Sequence, residues 1–307
     1  MISAVVVTFN PDEVKYAGLV SRLSGQVDSL VVVDNSDRQN DDAFSHLEGL
    51  GLDWSSVFVF RFGVNRGLAA ALNQGIEIAL NGGADYILLS DQDSMPAPDM
   101  VVQLAKAHSQ LSSQEIRVGA VGPTFADLYT GVTYPFQANV SGRLFYGHQA
   151  ATESRRYVEA LTIITSGTLV SRQALLEVGL MRECFFIDQI DIEWCHRARA
   201  KGYKLFGVYG AEMHQHMGES VLAVWFLKWR KESLYSPLRI YYRIRNYVFL
   251  VRLDYIDTGW KLRSGWYWLG IVYAHVLFGP QKTKSLKMAF LGLWDGLRGK
   301  SGVWSRK

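Results

Sequence analysis

The first half of the chain alternates short, nearly continuous apolar runs with segments whose apolar residues recur at helical spacing. Residues 3–8 (SAVVVT), 29–33 (SLVVV), 57–61 (VFVFR) and 85–90 (DYILLS) predict strands, because they are short and mostly apolar, the first two built largely from valine. Residues 11–25 and 67–80 predict amphipathic helices between them. Strands that are apolar on both faces and separated by helices predict an α/β fold, with a mostly parallel central sheet covered on both sides. The pattern is less regular from 115 to 220, where residues 191–201 predict a further helix stopped by Gly202. Beyond 221 the stretches WFLKWRK, RIYYRIRNYVFLVR, KLRSGWYWLG and LKMAFLGLWDGLRGK interleave aromatics with Lys and Arg. These boundaries divide the chain into a domain over 1–220 and a C-terminal helical region over 221–307.

In open parallel sheets ligands gather where the strands end. Three polar clusters fall there: residues 8–11, 34–37 and 90–94. In the last, SDQDS, Asp91 and Asp93 put two like charges at the end of a buried strand, which is costly unless a cation offsets them. A hard divalent ion such as Mg²⁺, sharing its shell with a diphosphate, would do so; a solvated turn is the plainer reading. Asp34 in VVVDNSD could accept from a nucleobase N–H, or simply build a turn with Asn35 and Ser36. Arg66 in GVNRGLAAALN lies at a helix start, where amide N–H groups and the dipole favour phosphate, although it could also pair locally. Neither GxGxxG nor GxxxxGK[ST] occurs, so nicotinamide and P-loop binding are unsupported. In FFIDQIDIEWCHR, Asp188, Asp191 and Glu193 sit among apolar residues that could raise a carboxylate pKa toward that of a general base. Equally, Asp188 could cap the helix, with Asp191 and Glu193 in its first turn. His214 and His216 in HQHMGE could supply one metal ligand or be polar surface.

Composition narrows the classes. Hydrophobic residues make up 49% of the chain, enough for a sizeable core. A net charge of +3, from 32 basic and 29 acidic residues, does not by itself argue for a nucleic-acid partner, and no motif that reads RNA or DNA is present. Two cysteines, Cys184 and Cys195, give no disulfide framework and fit a reducing compartment. The first residues lack the basic start and apolar core of an export signal. Residues 265–279 are uncharged but short of a span, and Lys261, Arg263, Lys282 and Lys284 flank them in an interfacial pattern. The aromatic, basic tail is therefore either helical core or a surface that docks on an anionic membrane.

Taken together and in order, TFNP, VVDNSD, NRGLAAALNQG, LLSDQDS, SGTLVS, FIDQIDIEWCHRARAKGY, YYRIRN and LWDGLRGKSG resemble family 2 glycosyltransferases of the GT-A fold, nearest the bacterial rhamnosyltransferases. The resemblance implies inverting transfer of L-rhamnose from dTDP-β-L-rhamnose to a lipid-linked saccharide acceptor in O-antigen-type polysaccharide biosynthesis, by a cytoplasmic enzyme peripheral on the inner face of the bacterial membrane. A UDP-hexose donor, or a nucleotide-sugar-binding protein without catalysis, are the alternatives. The resemblance makes Asp191 the catalytic base, with Asp188, Glu193, Ser166 and Gly167 supporting it or placing the acceptor. It assigns the donor to Thr8, Asn10, Asp34, Asn35, Arg66, Gly67, Asp91 and Gln92. A Mg²⁺ or Mn²⁺ cofactor would meet Asp91, Asp93 and either His214 or His216. The QxxRW of processive synthases is absent, which implies one addition per encounter.

Overall fold

The computed structural model describes residues 1–37, 52–127, 133–139, 145–149, 156–215, 220–226 and 228–305. In chain order the first elements are β1 (Ile2–Thr8), α1 (Glu13–Ser24), β2 (Ser29–Asp34), β3 (Val57–Arg61), α2 (Leu68–Asn81), β4 (Tyr86–Asp91), β5 (Met95–Pro96), α3 (Met100–Ser112) and β6 (Val118–Asp127). Short strands β7 (Thr133–Tyr134), β8 (Phe136–Ala138) and β9 (Gly147–Gln149) precede β10 (Tyr157–Ala160), β11 (Leu169–Ser171), α4 (Arg172–Val178), α5 (Ile190–Ala200) and β12 (Lys204–Gln215). A hairpin, β13 (Ser220–Phe226) and β14 (Lys228–Leu234), then leads into α6 (Pro237–Val251), α7 (Thr258–Leu277) and α8 (Lys282–Leu297).

The main sheet runs β10-β12-β6-β11-β4-β1-β2-β3, with β5 and β7 added at its side. Strands β3, β2, β1 and β4 are mutually parallel, and β11 and β10 run against the rest. The valine-rich strands read as continuous apolar runs because both faces are covered. Val5, Val7, Val31, Val33, Ile87 and Leu89 face α2, α4 and α5, while Ala4, Val6, Leu30, Val32 and Leu88 face α1 and α3. Alternate residues of each strand thus enter different cores, as a period of two requires. The register sets Thr8 opposite Asp34, Asp34 opposite Arg61, and Val7 opposite Asp91, so the three polar strand ends meet on one edge.

The C-terminal region departs from the all-helical expectation at its start. Residues 221–225 alternate exposed and buried positions, with Leu222 and Val224 packed on Ala274 of α7. That period of two makes a hairpin strand, and its basic, aromatic partner β14 pairs with it residue by residue. After it, α6 and α8 approach closely. A Cβ on Gly292 would lie 2.4 Å from the Tyr241 carbonyl oxygen, so only glycine allows this crossing.

Candidate active site

At the edge where the strands end, the residues expected to meet a donor come together. Thr8, Asp34 and Asn35 are all nearly buried. The Thr8 hydroxyl donates to Asp34 Oδ1 at 3.2 Å, and the Ser36 amide donates to the same oxygen at 3.0 Å. Asn35 Oδ1 accepts from the Arg66 amide at 2.8 Å, and its Nδ2 donates to Asn65 at 3.1 Å, tying the second strand end to the loop before α2. Asn10 holds a left-handed backbone, φ 44°, with its amide on Ser36 and its Oδ1 buried without a partner among the described residues. A buried acceptor left unpaired at a strand edge suits a ligand donor. Gln92 clamps the Asp91–Asp93 turn to the first loop: its Oε1 accepts from the Phe9 amide at 2.6 Å and its Nε2 donates to the Phe9 carbonyl at 3.2 Å.

One expectation is overturned here. The first amides of α2 do not face open space for phosphate: the Phe186 carbonyl takes Leu68 N–H at 2.7 Å and Ala69 N–H at 3.4 Å. Gly67, at φ 89°, permits this approach, since a Cβ there would lie 2.8 Å from the Phe186 oxygen. Arg66 itself is exposed, its guanidinium 5.9 Å from the Phe62 ring.

Residues 165–167 join the donor edge to the acidic cluster. Ser166 Oγ accepts the Asp91 amide at 3.1 Å and bonds the Ser94 hydroxyl, while the Thr165 amide donates to Asp191 Oδ2 at 3.2 Å. Gly167, left-handed at φ 80°, donates to the Leu89 carbonyl at 2.8 Å. Asp191 Oδ1 accepts the Ile192 amide at 2.8 Å. Burial pushes its carboxyl above the ordinary aspartate range; the two amides oppose this and the nearby Asp188 charge reinforces it.

Asp188 is not the helix cap: Gln189 occupies that position in left-handed geometry, and neither side chain caps. Instead Asp188 accepts Arg239 through both oxygens, at 2.7 and 2.6 Å, and Arg243 at 3.1 Å. Burial acts to raise its pKa, but the two guanidinium groups outweigh it and hold the carboxyl below the usual range. Carboxyls pushed in opposite directions in this way are able to divide between acid–base and structural parts. Glu193, fully buried, turns to Arg197 at 2.9 Å, Arg182 at 3.1 Å and the Tyr255 hydroxyl, so its part is to fix α5.

The loop before α5 carries Phe186, Asp188 and Gln189 at φ 62° to 64°, and its shape is set from the C-terminal region. Asn246 Nδ2 donates to the carbonyls of Phe185, Ile187 and Asp188 at 3.0, 2.7 and 2.9 Å. Buried Arg245 donates to the Phe185 carbonyl at 2.8 Å and to Gly302 at 2.5 Å. Neither these residues nor Arg239 and Arg243 were singled out by the sequence reading, although RIYYRIRN contains all four; the sign was four buried-compatible polar residues on a helix otherwise apolar.

For a metal, the turn offers Asp91 and Asp93, and the pairing of Met95 with His214 brings β12 alongside. Among the described residues no group of three or more His, Cys, Asp or Glu is arranged to hold an ion. His216 lies outside the described residues. The donor set therefore fits a hard cation that takes further oxygens from a diphosphate, and not a protein-only cage.

Asp191 and Asp188 open on a cavity of about 1090 Å³, walled by β6, β7, β8 and the aromatic start of α7. A family model described as glycosyl transferase family 2 matches residues 3–178. The dTDP-rhamnosyl transferase RfbF of Shigella flexneri is 29% identical over 303 residues, 98% of this chain and 97% of that protein. Two solved structures are similar in fold. GalNAc-T7 with UDP, GalNAc and Mn²⁺ has a TM-score of 0.54 at 16% identity, over 71% of this chain and 43% of that one; S. aureus TarS has 0.55 at 14%, over 97% and 49%. The chain spans less than half the length of either solved chain. The mostly parallel sheet is that of the GT-A fold. With the family model covering more than half of its residues, the chain belongs to the family 2 glycosyltransferases.

Proposed function

We propose that this glycosyltransferase moves L-rhamnose from dTDP-β-L-rhamnose to a hydroxyl of a saccharide acceptor. The observation that carries the transfer is Asp191, a carboxylate raised in pKa and open to a cavity beside the donor edge. The rhamnosyl donor is supported by the match, over nearly the whole of both chains, to a protein named for that reaction. Asp191 takes the acceptor hydroxyl proton as that oxygen bonds the anomeric carbon. The carbon–oxygen bond to the diphosphate breaks on the opposite face, and dTDP leaves with the electron pair. One displacement inverts the centre and gives an α-rhamnoside. Thr8, Asn10 and Asp34 hold the nucleoside, and Asp91 and Asp93 would hold Mg²⁺ or Mn²⁺. What such an ion supplies when bound is neutralisation of diphosphate charge.

The acceptor is lipid-linked and the enzyme docks on the inner face of the cell membrane. No helix among the described residues is long and apolar enough to cross a membrane. In support of docking, α8 exposes Leu286, Phe290, Leu293, Trp294 and Leu297 along one stripe, with Lys282, Lys284, Lys287 and Arg298 around it. Calorimetry with a nucleotide panel and Mn²⁺ tests the donor: dTDP binds more tightly than UDP, and the reverse order would replace rhamnose with a UDP-hexose. Flotation with anionic liposomes tests the membrane, and Phe290→Ser with Trp294→Ser reduces it; equal flotation of the two proteins would remove the stripe from that role.

A further inference from the structure

The cavity beside Asp191 is built for a particular kind of guest. On the α7 side its wall carries Trp260, Trp266, Tyr267 and Trp268, and across from them Tyr146. Aromatic faces suit apolar faces of a ring, but they do not distinguish a sugar from a lipid. The polar atoms do. Gln189 is 5% exposed and lines the cavity, and its Oε1 is a buried acceptor without a partner among the described residues. Its Nε2 is engaged by the Arg243 carbonyl at 3.0 Å, so the amide orientation is fixed. Two buried donors in the same wall, Trp268 Nε1 and Arg243 Nε, also lack partners among the described residues. Buried polar atoms are nearly always satisfied, and a hydroxyl, which both donates and accepts, is the group that can answer all three. The cavity wall also holds a cation. Arg263 lies 4.6 Å from the Tyr146 ring centroid and forms no ion pair among the described residues. His148 beside it is pushed toward neutrality by burial and by that guanidinium, so it adds no competing charge at neutral pH.

Resting on the transfer reading above, we infer that this cavity is the acceptor site and takes a phosphorylated saccharide: hydroxyls meet Gln189, Trp268 and Arg243, rings lie on the α7 aromatics, and Arg263 meets the phosphate. A guanidinium presents paired donors that match phosphate geometry. The lipid-linked acceptor proposed above carries such a phosphate at its linkage; a soluble sugar phosphate offers the same chemistry and is the alternative source that the test separates. Exposed Leu262, Trp266 and Leu269 on the same stretch of α7 place apolar surface next to the cavity.

The test uses the full chain with dTDP and Mn²⁺ bound, and follows tryptophan fluorescence and calorimetry. The probes are the 1-phosphates of glucose, galactose, N-acetylglucosamine and rhamnose, with the matching methyl glycosides. At least one 1-phosphate binds about tenfold more tightly than its methyl glycoside, the gain expected of a charge-assisted contact. Arg263→Gln erases that difference, and Trp268→Phe, which keeps a ring and removes the donor, weakens both ligands. Dodecyl phosphodiesters of the same sugars separate the sources: tighter binding than the free 1-phosphate assigns a lipid-borne acceptor, and equal binding a soluble one. The inference is overturned if the dTDP complex binds none of these sugars, or if Arg263→Gln keeps the preference for phosphate. Failure to bind dTDP at all would instead overturn the donor reading on which it rests.

Discussion

Thr8, Asp34 and Asp91 reach the candidate site as the last residues of parallel strands, whereas Asp188 reaches it on a loop that three left-handed, non-glycine residues bend into place, and Asp191 on the first turn of α5, into which that loop leads. The first half is positioned by strand register and needs nothing beyond the sheet. The second is a strained loop, at about 1–3 kcal/mol for each such residue, and it persists because Arg245 and Asn246 take up its carbonyls. The difference teaches that α6 shapes the loop that leads to the proposed base. Truncation near residue 235 would remove this clamp together with any membrane-docking surface, so it cannot separate the two roles.

The sharpest division between the halves is kinetic. Asp191→Asn lowers transfer about a thousandfold, within the range for a general base, while calorimetry shows dTDP affinity unchanged. A variant within tenfold of the parent would remove Asp191 as the base. On the other side, Asp93→Ala weakens Mn²⁺-dependent dTDP binding by about 3 kcal/mol, the scale of a metal-held phosphate, with nucleotide binding in EDTA left as in the parent. Equal dTDP affinity with and without Mn²⁺ in the parent would end the metal assignment. A third substitution addresses the clamp. Asn246→Ala leaves one buried and two part-buried carbonyls without that donor and costs about 2 kcal/mol of stability, read from urea unfolding. In the fraction that remains folded, kcat falls and dTDP affinity holds. Unchanged kcat would mean that the loop keeps its shape unaided.

The same contrast decides what could be read in the sequence. Strands at 3–8, 29–33, 57–61 and 85–90 were legible because burial on both faces leaves an apolar run that stops where the edge begins, and the polar strand ends were legible with them. The loop was not, since Phe186 and Gln189 carry no local preference for left-handed backbone. What holds it lies some 60 residues downstream in RIYYRIRN, which reads as a basic, aromatic helix until its carbonyl partners are known. The same distance effect hid the fate of the α2 amides, taken by Phe186. The hairpin strand at 221–225 shows in its alternation, but its Lys, Arg and Trp neighbours make the stretch read as a basic, aromatic helix.

The smallest effect tests whether the two acidic groups are electrically coupled. As the proposed base, Asp191 must be ionised to act, so transfer is expected to fall as pH drops through its raised pKa. Asp188→Asn removes the negative charge that contributes to that rise and leaves Arg239 and Arg243 in place, and both changes favour the Asp191 carboxylate. The acid limb of kcat/KM therefore moves to lower pH, though not to that of a free aspartate, because burial is the larger cause and stays. Stability follows the opposite logic in the two residues. The lowered pKa of Asp188 contributes stability that is complete above the ordinary aspartate value of about 3.9 and is lost as pH falls through its folded value. The raised pKa of Asp191 contributes stability present below that ordinary value and lost as pH rises through its own. Asp188→Asn should thus lower Tm at neutral pH and flatten its decline toward acid. An acid limb that does not move, in a variant whose Tm has changed in this way, would show that Asp188 organises the two arginines without reaching Asp191, and the base would owe its pKa to burial alone.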